Sequence, residues 1–465
     1  MSAPAEAADF REVQVPPKTI PGPRGNLLLG SLPEMQRHGQ LPMLLHGWRD
    51  YGDLVKFRLG PIRIVLVARP EHVRHVLDNN PTYVRGAIYQ HKMRQLIGMG
   101  LGISDGDFWR RHRQLMQPPF TPKGIQAYVG SMNGAIAEML ARWQARPHPG
   151  EPMDVNLEMI TLAMDVIGRT IFGMNFREGA MELSAAFTEA LENLSQRAVT
   201  IFDLPRWIPT PGNVRFNRSM RALNDFIYRS IEQRRAQPEV WQTGSDLLSI
   251  LLRAAESGEQ LGELEVRDEM MSVYFAGHET TAQAMTWTWY ALSEHPEVLR
   301  RVENEVAEVL SGRTPTLEDV AQLTYTRQVV EESLRLYPPV FAFARDALED
   351  DAISGYRVPK GAMVIVSPYV THRHPEFWPD PERFDPNRFE ESQVKARPKF
   401  AYFPFAGGHH VCIGNNFALL EQVLVLASVC QRYRLRHAPG HKVEIRPMIT
   451  LRSRYGMLMH LEPRT

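Results

Sequence analysis

The chain has 465 residues, of which 43% are hydrophobic and 23% are charged, a composition typical of a soluble globular protein with a large core. Its 53 basic and 53 acidic side chains give a formal net charge of +0, so the overall charge does not point to nucleic acid or to an anionic membrane. The chain contains only two cysteines, Cys412 and Cys430, which excludes a disulfide framework and fits a reducing compartment.

The N-terminus has no apolar run long enough for a signal peptide or a membrane anchor. No linker, low-complexity segment or internal repeat divides the chain, so we expect a single domain over residues 1–465 with an extended segment at residues 1–25. We therefore expect a cytoplasmic protein that has no membrane anchor and binds no nucleic acid.

The first elements are predicted to be a hairpin and a short helix. Residues 55–67 form two β-rich runs that a Gly-Pro pair divides, and Pro70 then opens a helix. Residues 80–106 lack clean periodicity and hold several glycines, so we expect a loop, which at this length is usually functional or mobile. Leu96 within it is a candidate pocket residue, although simple loop packing explains it equally well.

A basic helix is predicted to begin near Asp105. Trp109 and Arg113 are four residues apart and therefore share one face of this helix. An indole N–H and a guanidinium fork together suit a carboxylate ligand. A solvated basic face is the simpler interpretation of the neighbouring arginines.

The stretch from Phe275 to Thr281 has an unusual composition for the interior of a long helix. Glycine, glutamate and two adjacent threonines are poor choices there. A threonine hydroxyl can capture a backbone carbonyl and open the helix locally, which leaves room for water. Ala276 is small enough for the helix to pass close to a bulky group, although a surface Glu279 with helix-bending threonines is an alternative interpretation.

Two further stretches carry chemistry before the C-terminal region. Glu332 and Arg335 are three residues apart, so a buried charge pair on one helix face is expected. Phe341 and Phe343 follow and are aromatic candidates for the lining of a pocket.

The run from Phe405 to Gly414 precedes a long apolar helix. Cys412 lies just before the N-terminus of that helix, where free N–H groups and the positive dipole end favour a thiolate. The glycines allow tight turns and a close approach to something flat or bulky. A single thiolate suits haem better than zinc, which needs three or four ligands. The alternative is a small buried cysteine without a function.

Together these stretches resemble the cytochrome P450 family. The run Phe405–Gly414 is similar to its haem-binding signature at every position except His410, where arginine is commonest. Residues 276–280 are similar to the oxygen-activation motif of that family, and residues 332–335 to its Glu-x-x-Arg motif. The resemblance implies a mainly α fold with small β-sheets, built as one large domain shaped like a triangular prism.

The resemblance also implies a role for each residue of the motifs. Cys412 would be the axial ligand of the iron of haem b, Thr280 would hydrogen-bond the oxygen that is activated, and Glu279 would help to relay protons. The remaining cofactor-binding residues would be Trp109, Arg113, Arg345, Phe405, His410 and Gly414, and the substrate pocket would include Ala276, Leu96, Phe341 and Phe343. A structural triad would join Glu332 and Arg335 to Arg383 of the Pro-Glu-Arg-Phe segment.

The implied activity is that of a monooxygenase. Such an enzyme inserts one oxygen atom of O2 into a C–H bond of a lipophilic substrate such as a fatty acid, a terpenoid or a steroid. No reductase segment is evident, so a separate ferredoxin- or flavodoxin-type donor with its reductase would supply the electrons. The chief alternative is a peroxide-using peroxygenase or a non-oxygenating haem-thiolate isomerase or dehydratase, but such relatives typically lack the Glu279-Thr280 pair. A haem-based sensor is the non-enzymatic alternative, and no output or DNA-binding segment supports it.

Overall fold

Helices account for most of the regular structure in the computed structural model, which describes residues 18–78, 81–148, 150–176, 179–198, 205–258 and 261–464. The helices are α1 Leu32–His38, α2 Gln40–Tyr51, α3 Pro70–Asp78, α4 Ala87–Ile97, α5 Gly106–Met116, α6 Pro122–Gln126, α7 Val129–Gln144, α8 Val155–Ile171, α9 Ala180–Ala198, α10 Pro211–Arg235, α11 Pro238–Trp241, α12 Leu247–Glu256, α13 Glu263–Glu294, α14 Pro296–Leu310, α15 Leu317–Gln322, α16 Thr324–Leu336, α17 Pro368–Thr371, α18 Glu391–Ala396 and α19 Asn415–Cys430. None of these described helices is both long enough and apolar enough to span a membrane.

The strands form one larger sheet and three small ones within the described residues. They are β1 Leu54–Leu59, β2 Ile62–Val67, β3 Tyr83–Arg85, β4 Met153–Asp154, β5 Phe343–Ala347, β6 Asp351–Ile353, β7 Tyr356–Val358, β8 Met363–Val366, β9 Tyr433–His437, β10 Ile445–Pro447, β11 Leu451–Ser453 and β12 Leu458–Pro463. The larger sheet has the order β1-β2-β8-β5-β3, and the small sheets are β10-β11, β4-β12-β9 and β6-β7. The fold class expected from the sequence, mainly α with small β-sheets, is confirmed.

The predicted N-terminal hairpin is present as the antiparallel pair of β1 and β2. β2 also pairs in parallel with β8, so it lies inside the sheet, and its last four residues are buried. This double pairing explains why β2 is almost continuously apolar while β1 alternates. Of the predicted extended segment 1–25, residues 1–17 lie outside the described residues, and Lys18 forms an isolated bridge to Tyr356.

Helix α13 runs through the core and positions the site. Its 32 residues are buried on nearly every side, which is the pattern of a helix surrounded by protein rather than of a surface helix. It packs closely against α8 at Gly277, where an added Cβ would lie 2.8 Å from Cγ1 of Ile167. The missing side chain of Gly277 therefore determines how near these two helices approach.

The prediction of a loop over residues 80–106 is wrong, because this stretch contains β3 and α4. Met93, Leu96 and Ile97 recur at helical spacing and are buried in the main core. Gly86 precedes α4, and the other glycines that suggested a loop begin only at Gly98, after the helix. Gly98 has φ +65, and an added Cβ there would overlap the Asp268 carboxylate of α13. These glycines are needed because the segment after α4 passes very close to α13, and they do not mean that a helix is absent.

Candidate active site around Cys412

A cavity of about 790 Å³ lies inside the fold, next to α13 and the loop that precedes α19. This volume falls within the range of about 300–1,000 Å³ that is usual for ligand and cofactor sites. All seven residues that were predicted to hold a cofactor line this cavity, and so do Ala276, Thr280, Phe341 and Phe343. The fold thus brings together residues that are up to 305 positions apart in the chain, from Trp109 to Gly414.

The loop from Phe405 to Gly414, called the cysteine loop below, is held by a backbone hydrogen bond and by close packing. The N–H of Cys412 donates to the carbonyl oxygen of Phe405 at 3.0 Å, which closes the loop. An added Cβ at Gly407 would collide with the ring of Phe400, and one at Gly408 would collide with the backbone of Leu77. The glycines predicted to allow tight turns are therefore required by their neighbours, and Cys412 is presented at a fixed position.

The side chain of Cys412 is exposed, although the residue lies deep inside the protein, because it faces the cavity. Burial raises the pKa of the Cys412 thiol, and the Gly414 N–H and the Arg113 guanidinium only partly oppose this rise. The N–H of Gly414, just before the helix, acts in the direction expected from the sequence, but burial has the larger effect. A bound metal ion would supply the positive charge that a thiolate needs here.

Two aromatic rings and a carboxylate form the wall beside the cysteine loop. The rings of Trp109 and His410 are 4.5 Å apart between centroids, and Nε2 of His410 lies 3.2 Å from Oδ1 of Asp105. Burial lowers the pKa of His410 despite the nearby carboxylate, so its neutral form is favoured. Burial would raise the pKa of Asp105, but His410 and the N–H groups of Arg85 and Gly106 hold it well below its usual range. Sequence reasoning missed this role of Asp105, although an aspartate just before a helix is a common cap.

Two arginines at the cavity lie on different elements. Nη1 of Arg113, on α5, donates to the carbonyl oxygen of Val411 at 2.9 Å and so ties that helix to the cysteine loop. Arg345, on β5, lies with its guanidinium 5.2 Å from the centroid of the Phe343 ring. Both arginines line the cavity, and this agrees with a ligand that carries carboxylates.

These residues fit a haem. Ala276 is exposed in the middle of the buried helix α13, because it faces the same cavity as the Cys412 thiol. Among the described residues, no group of three or more His, Cys, Asp or Glu side chains could hold a metal ion. A thiol without partner ligands, arginines and an indole on the cavity wall, and small residues on α13 match an iron porphyrin better than a bare metal ion.

The two residues of the predicted oxygen-activation motif point in different directions. Thr280 lines the cavity, and its hydroxyl donates to the carbonyl oxygen of Ala276 at 2.7 Å without interrupting α13. Glu279 is buried away from the cavity, where it accepts hydrogen bonds from Arg452 at 2.7 and 2.5 Å and from Thr450 at 2.6 Å. Burial would raise the pKa of Glu279, but Arg452 outweighs it and holds this pKa below its ordinary value. Thr450 lines the cavity, so its hydrogen bond links the Glu279 carboxylate to the cavity wall.

One predicted pocket residue does not reach the cavity. Leu96 is fully buried in the core, whereas Met93 and Ile97, its neighbours along the same face of α4, also line the cavity. The sequence did not show this difference, because it depends on which segments pack against this face of α4. Ser272 of α13 also lines the cavity and was not among the predicted residues.

The structural triad has a different third member from the one predicted. Glu332 and Arg335 form a fully buried pair with two hydrogen bonds of 2.6 and 2.8 Å. The side chain of Arg383 is exposed, and only its carbonyl oxygen contacts Arg335. Nε of Arg388 instead lies 3.5 Å from Oε1 of Glu332. The assignment of Arg383 is therefore wrong, because the chain carries two similar Pro-x-Arg-Phe segments and the second one reaches the pair.

Comparisons with known proteins agree with this geometry. Residues 20–459 match the family model described as Cytochrome P450. The chain is 37% identical over 418 residues to Cyclooctat-9-en-7-ol 5-monooxygenase of Streptomyces melanosporofaciens, covering 86% of this chain and 89% of that protein. It is 32% identical over 426 residues to Pentalenene oxygenase of Streptomyces avermitilis, covering 88% and 92%. Its fold is similar to the crystal structure of a cytochrome P450DA mutant heme domain, with a TM-score of 0.85, 24% identity and coverage of 96% and 98%.

Proposed function

The chain belongs to the cytochrome P450 family and is a monooxygenase that hydroxylates a lipophilic substrate, and we propose that this substrate is a neutral terpenoid-like molecule. The reaction uses O2 and electrons from a redox partner. The observation that carries the proposal is a single thiol, Cys412, at the wall of a mostly apolar cavity that Thr280 also lines. We further propose that the chain is one cytoplasmic domain and that its donor is of the ferredoxin or flavodoxin type.

The cofactor that we propose is haem b, with Cys412 as the protein ligand of its iron. Arg113, Arg345, Trp109 and His410 would hold its carboxylates, the arginines through charge-assisted hydrogen bonds. When bound, a thiolate-ligated haem supplies the activation of dioxygen.

The proton pathway that we propose follows the side chains of this chain. The Thr280 hydroxyl would exchange its bond to the Ala276 carbonyl for one to an oxygen atom in the cavity. Glu279 would deliver protons through Thr450, since the 2.6 Å hydrogen bond between them links the buried carboxylate to the cavity wall. Arg452 would keep Glu279 ionised between transfers.

The ion pair of Arg446 favours a neutral substrate over a fatty acid at that part of the cavity. Arg446 lines the cavity, but its guanidinium lies 2.9 Å from a carboxylate oxygen of Glu192, which already neutralises it. A fatty-acid carboxylate would have to displace this partner. The two relatives above are named for terpenoid substrates, and this agrees with a neutral polycyclic ligand.

A spectral titration of the ferric haem protein tests the proposal. Neutral terpenoids and steroids should displace water from the iron and shift the haem from low to high spin, while medium- and long-chain fatty acids should not. A shift with fatty acids alone would refute the terpenoid assignment. Cys412→Ser should abolish the haem-thiolate spectrum. The matched variant Cys430→Ala should keep it, because Cys430 is a buried residue within α19.

A further inference from the structure

Ser272 has a special position among the polar residues at the cavity. It lies on α13, only 3% of its surface is accessible, and it lines the cavity together with Val273 and Ala276. Of the α4 residues at the same cavity, Ile88, Met93 and Ile97 are apolar and Lys92 is charged. Ser272 therefore brings one hydroxyl to a part of the cavity wall where Ile97 is a close apolar neighbour.

The hydrogen bonds of Ser272 leave its proton unused. Its Oγ accepts the N–H of Gly102 at 3.2 Å, and among the described residues nothing accepts a hydrogen bond from it. Thr280, Thr286 and Thr288 on the same helix all donate their hydroxyl protons to the carbonyl four residues earlier. Ser272 departs from this pattern, so its hydroxyl keeps a proton that it can donate into the cavity.

Packing fixes the position of this hydroxyl oxygen. An added Cβ at Gly100 would lie 2.6 Å from Cβ of Ser272, so the segment before α5 covers this part of the helix closely. The contact from Gly102 then holds the oxygen by its lone pair. A donor held in this way loses little conformational entropy when a ligand binds, and such preorganised polar groups set the orientation of a ligand in an apolar pocket.

We propose that Ser272 is the polar anchor of the substrate and donates a hydrogen bond to a single hydroxyl or carbonyl oxygen on an otherwise apolar molecule. This inference rests on the proposed function and narrows its substrate class to oxygenated terpenoids instead of bare hydrocarbons. Ser272 lies eight residues before Thr280, which corresponds to about 12 Å along the helix. The oxygen function of the substrate is therefore remote from the carbon that is hydroxylated, near the opposite end of the molecule.

Three other polar groups at the cavity have partners already. Thr450 is bonded to Glu279, Arg446 is paired with Glu192, and Arg113 is bonded to the carbonyl oxygen of Val411. Ser195, on α9, is another cavity serine, and its Oγ is buried without a hydrogen-bond partner among the described residues. It provides the matched control, because the same serine-to-alanine change then removes a different hydroxyl from the same cavity.

The test compares two alcohols with their hydrocarbon counterparts, cedrol with cedrane and farnesol with farnesene. Dissociation constants come from the spin-state shift of the haem-loaded enzyme. The wild-type enzyme should bind each alcohol about 3- to 10-fold more tightly than its hydrocarbon, the effect of one neutral hydrogen bond. Ser272→Ala should reduce this ratio to about one without loss of haem, and Ser195→Ala should leave it unchanged.

Several outcomes would overturn the anchor. The wild-type enzyme could show no preference for the alcohols, or Ser272→Ala could keep that preference. The preference could also be lost in Ser195→Ala instead of in Ser272→Ala. The products of farnesol give a second measure, because Ser272→Ala should spread hydroxylation over more carbon positions while the wild-type enzyme favours one region. Absence of a haem-thiolate spectrum in the wild-type protein would refute the proposed function itself, whereas a normal spectrum without alcohol preference refutes only the anchor.

Discussion

The charge cluster around Glu332 gives a prediction in which two similar arginines should behave differently. Glu332 and Arg335 are both fully buried, so Glu332→Ala leaves the guanidinium of Arg335 without its carboxylate. Arg335 would keep its bonds to the carbonyl oxygens of His372 at 2.9 Å and of Pro381 at 2.7 Å, but these do not neutralise its charge. We expect a loss of about 3–5 kcal/mol in the free energy of unfolding, the usual effect of breaking a buried pair.

Arg388 and Arg383 are the two candidates for the third residue of this cluster, and replacing each by alanine removes a different interaction. Arg388→Ala deletes a largely buried cation 3.5 Å from Glu332, at a cost of about 1–3 kcal/mol, less than for Glu332→Ala because the carboxylate keeps its shorter bonds to Arg335. Arg383→Ala deletes an exposed side chain and leaves the backbone carbonyl that Arg335 uses, so its effect should stay within about 0.5 kcal/mol. The expected order of destabilisation is Glu332→Ala, then Arg388→Ala, then Arg383→Ala.

Urea unfolding of the three variants and haem content per protein chain after gel filtration provide the assay. Glu332→Ala should fail to retain haem, because this cluster joins α16 to the segments that lead to the cysteine loop. A fully haem-loaded Glu332→Ala protein would contradict the structural role of the pair. An Arg383→Ala variant less stable than Arg388→Ala would refute the reassignment of the third member.

Two further predictions concern helix packing and pH. Gly277→Ala should destabilise the protein by about 1–3 kcal/mol through overpacking against Ile167. Adding Ile167→Ala to the same chain should recover part of this loss. If the two changes in the free energy of unfolding were strictly additive in the double variant, the contact between these residues would be contradicted. Burial keeps the pKa of His372 well below its ordinary value, and its neutral Nε2 accepts the N–H of Phe403 at 2.9 Å. Below about pH 6.5 the unfolded chain therefore binds a proton that the folded chain does not, and this site lowers stability by about 1.4 kcal/mol per pH unit as the pH falls. Urea unfolding between pH 7 and pH 5 should give a shallower dependence for His372→Gln than for the wild-type protein, and parallel curves would refute this role.

The sequence by itself determined the features that depend on local chemistry. The cysteine loop needs glycines at fixed positions, and those glycines stand beside Cys412 in the printed sequence. The hairpin of β1 and β2 follows from two β-rich runs around a Gly-Pro pair, and the pairing of Glu332 with Arg335 follows from a spacing of three residues on one helix. These relations are short in sequence, so the spacing of residue types is enough to specify them.

The tertiary structure alone decided which distant groups meet. The sequence contains two similar arginine segments after residue 380, and only the folded chain shows that Arg388, not Arg383, approaches Glu332. It also places Glu279 against Arg452 of β11, 173 residues later in the chain, and turns Leu96 into the core while Ile97 faces the cavity. Neither outcome can be read from spacing, because the packing of separate elements fixes which face of a helix is covered and which cation neutralises a buried carboxylate.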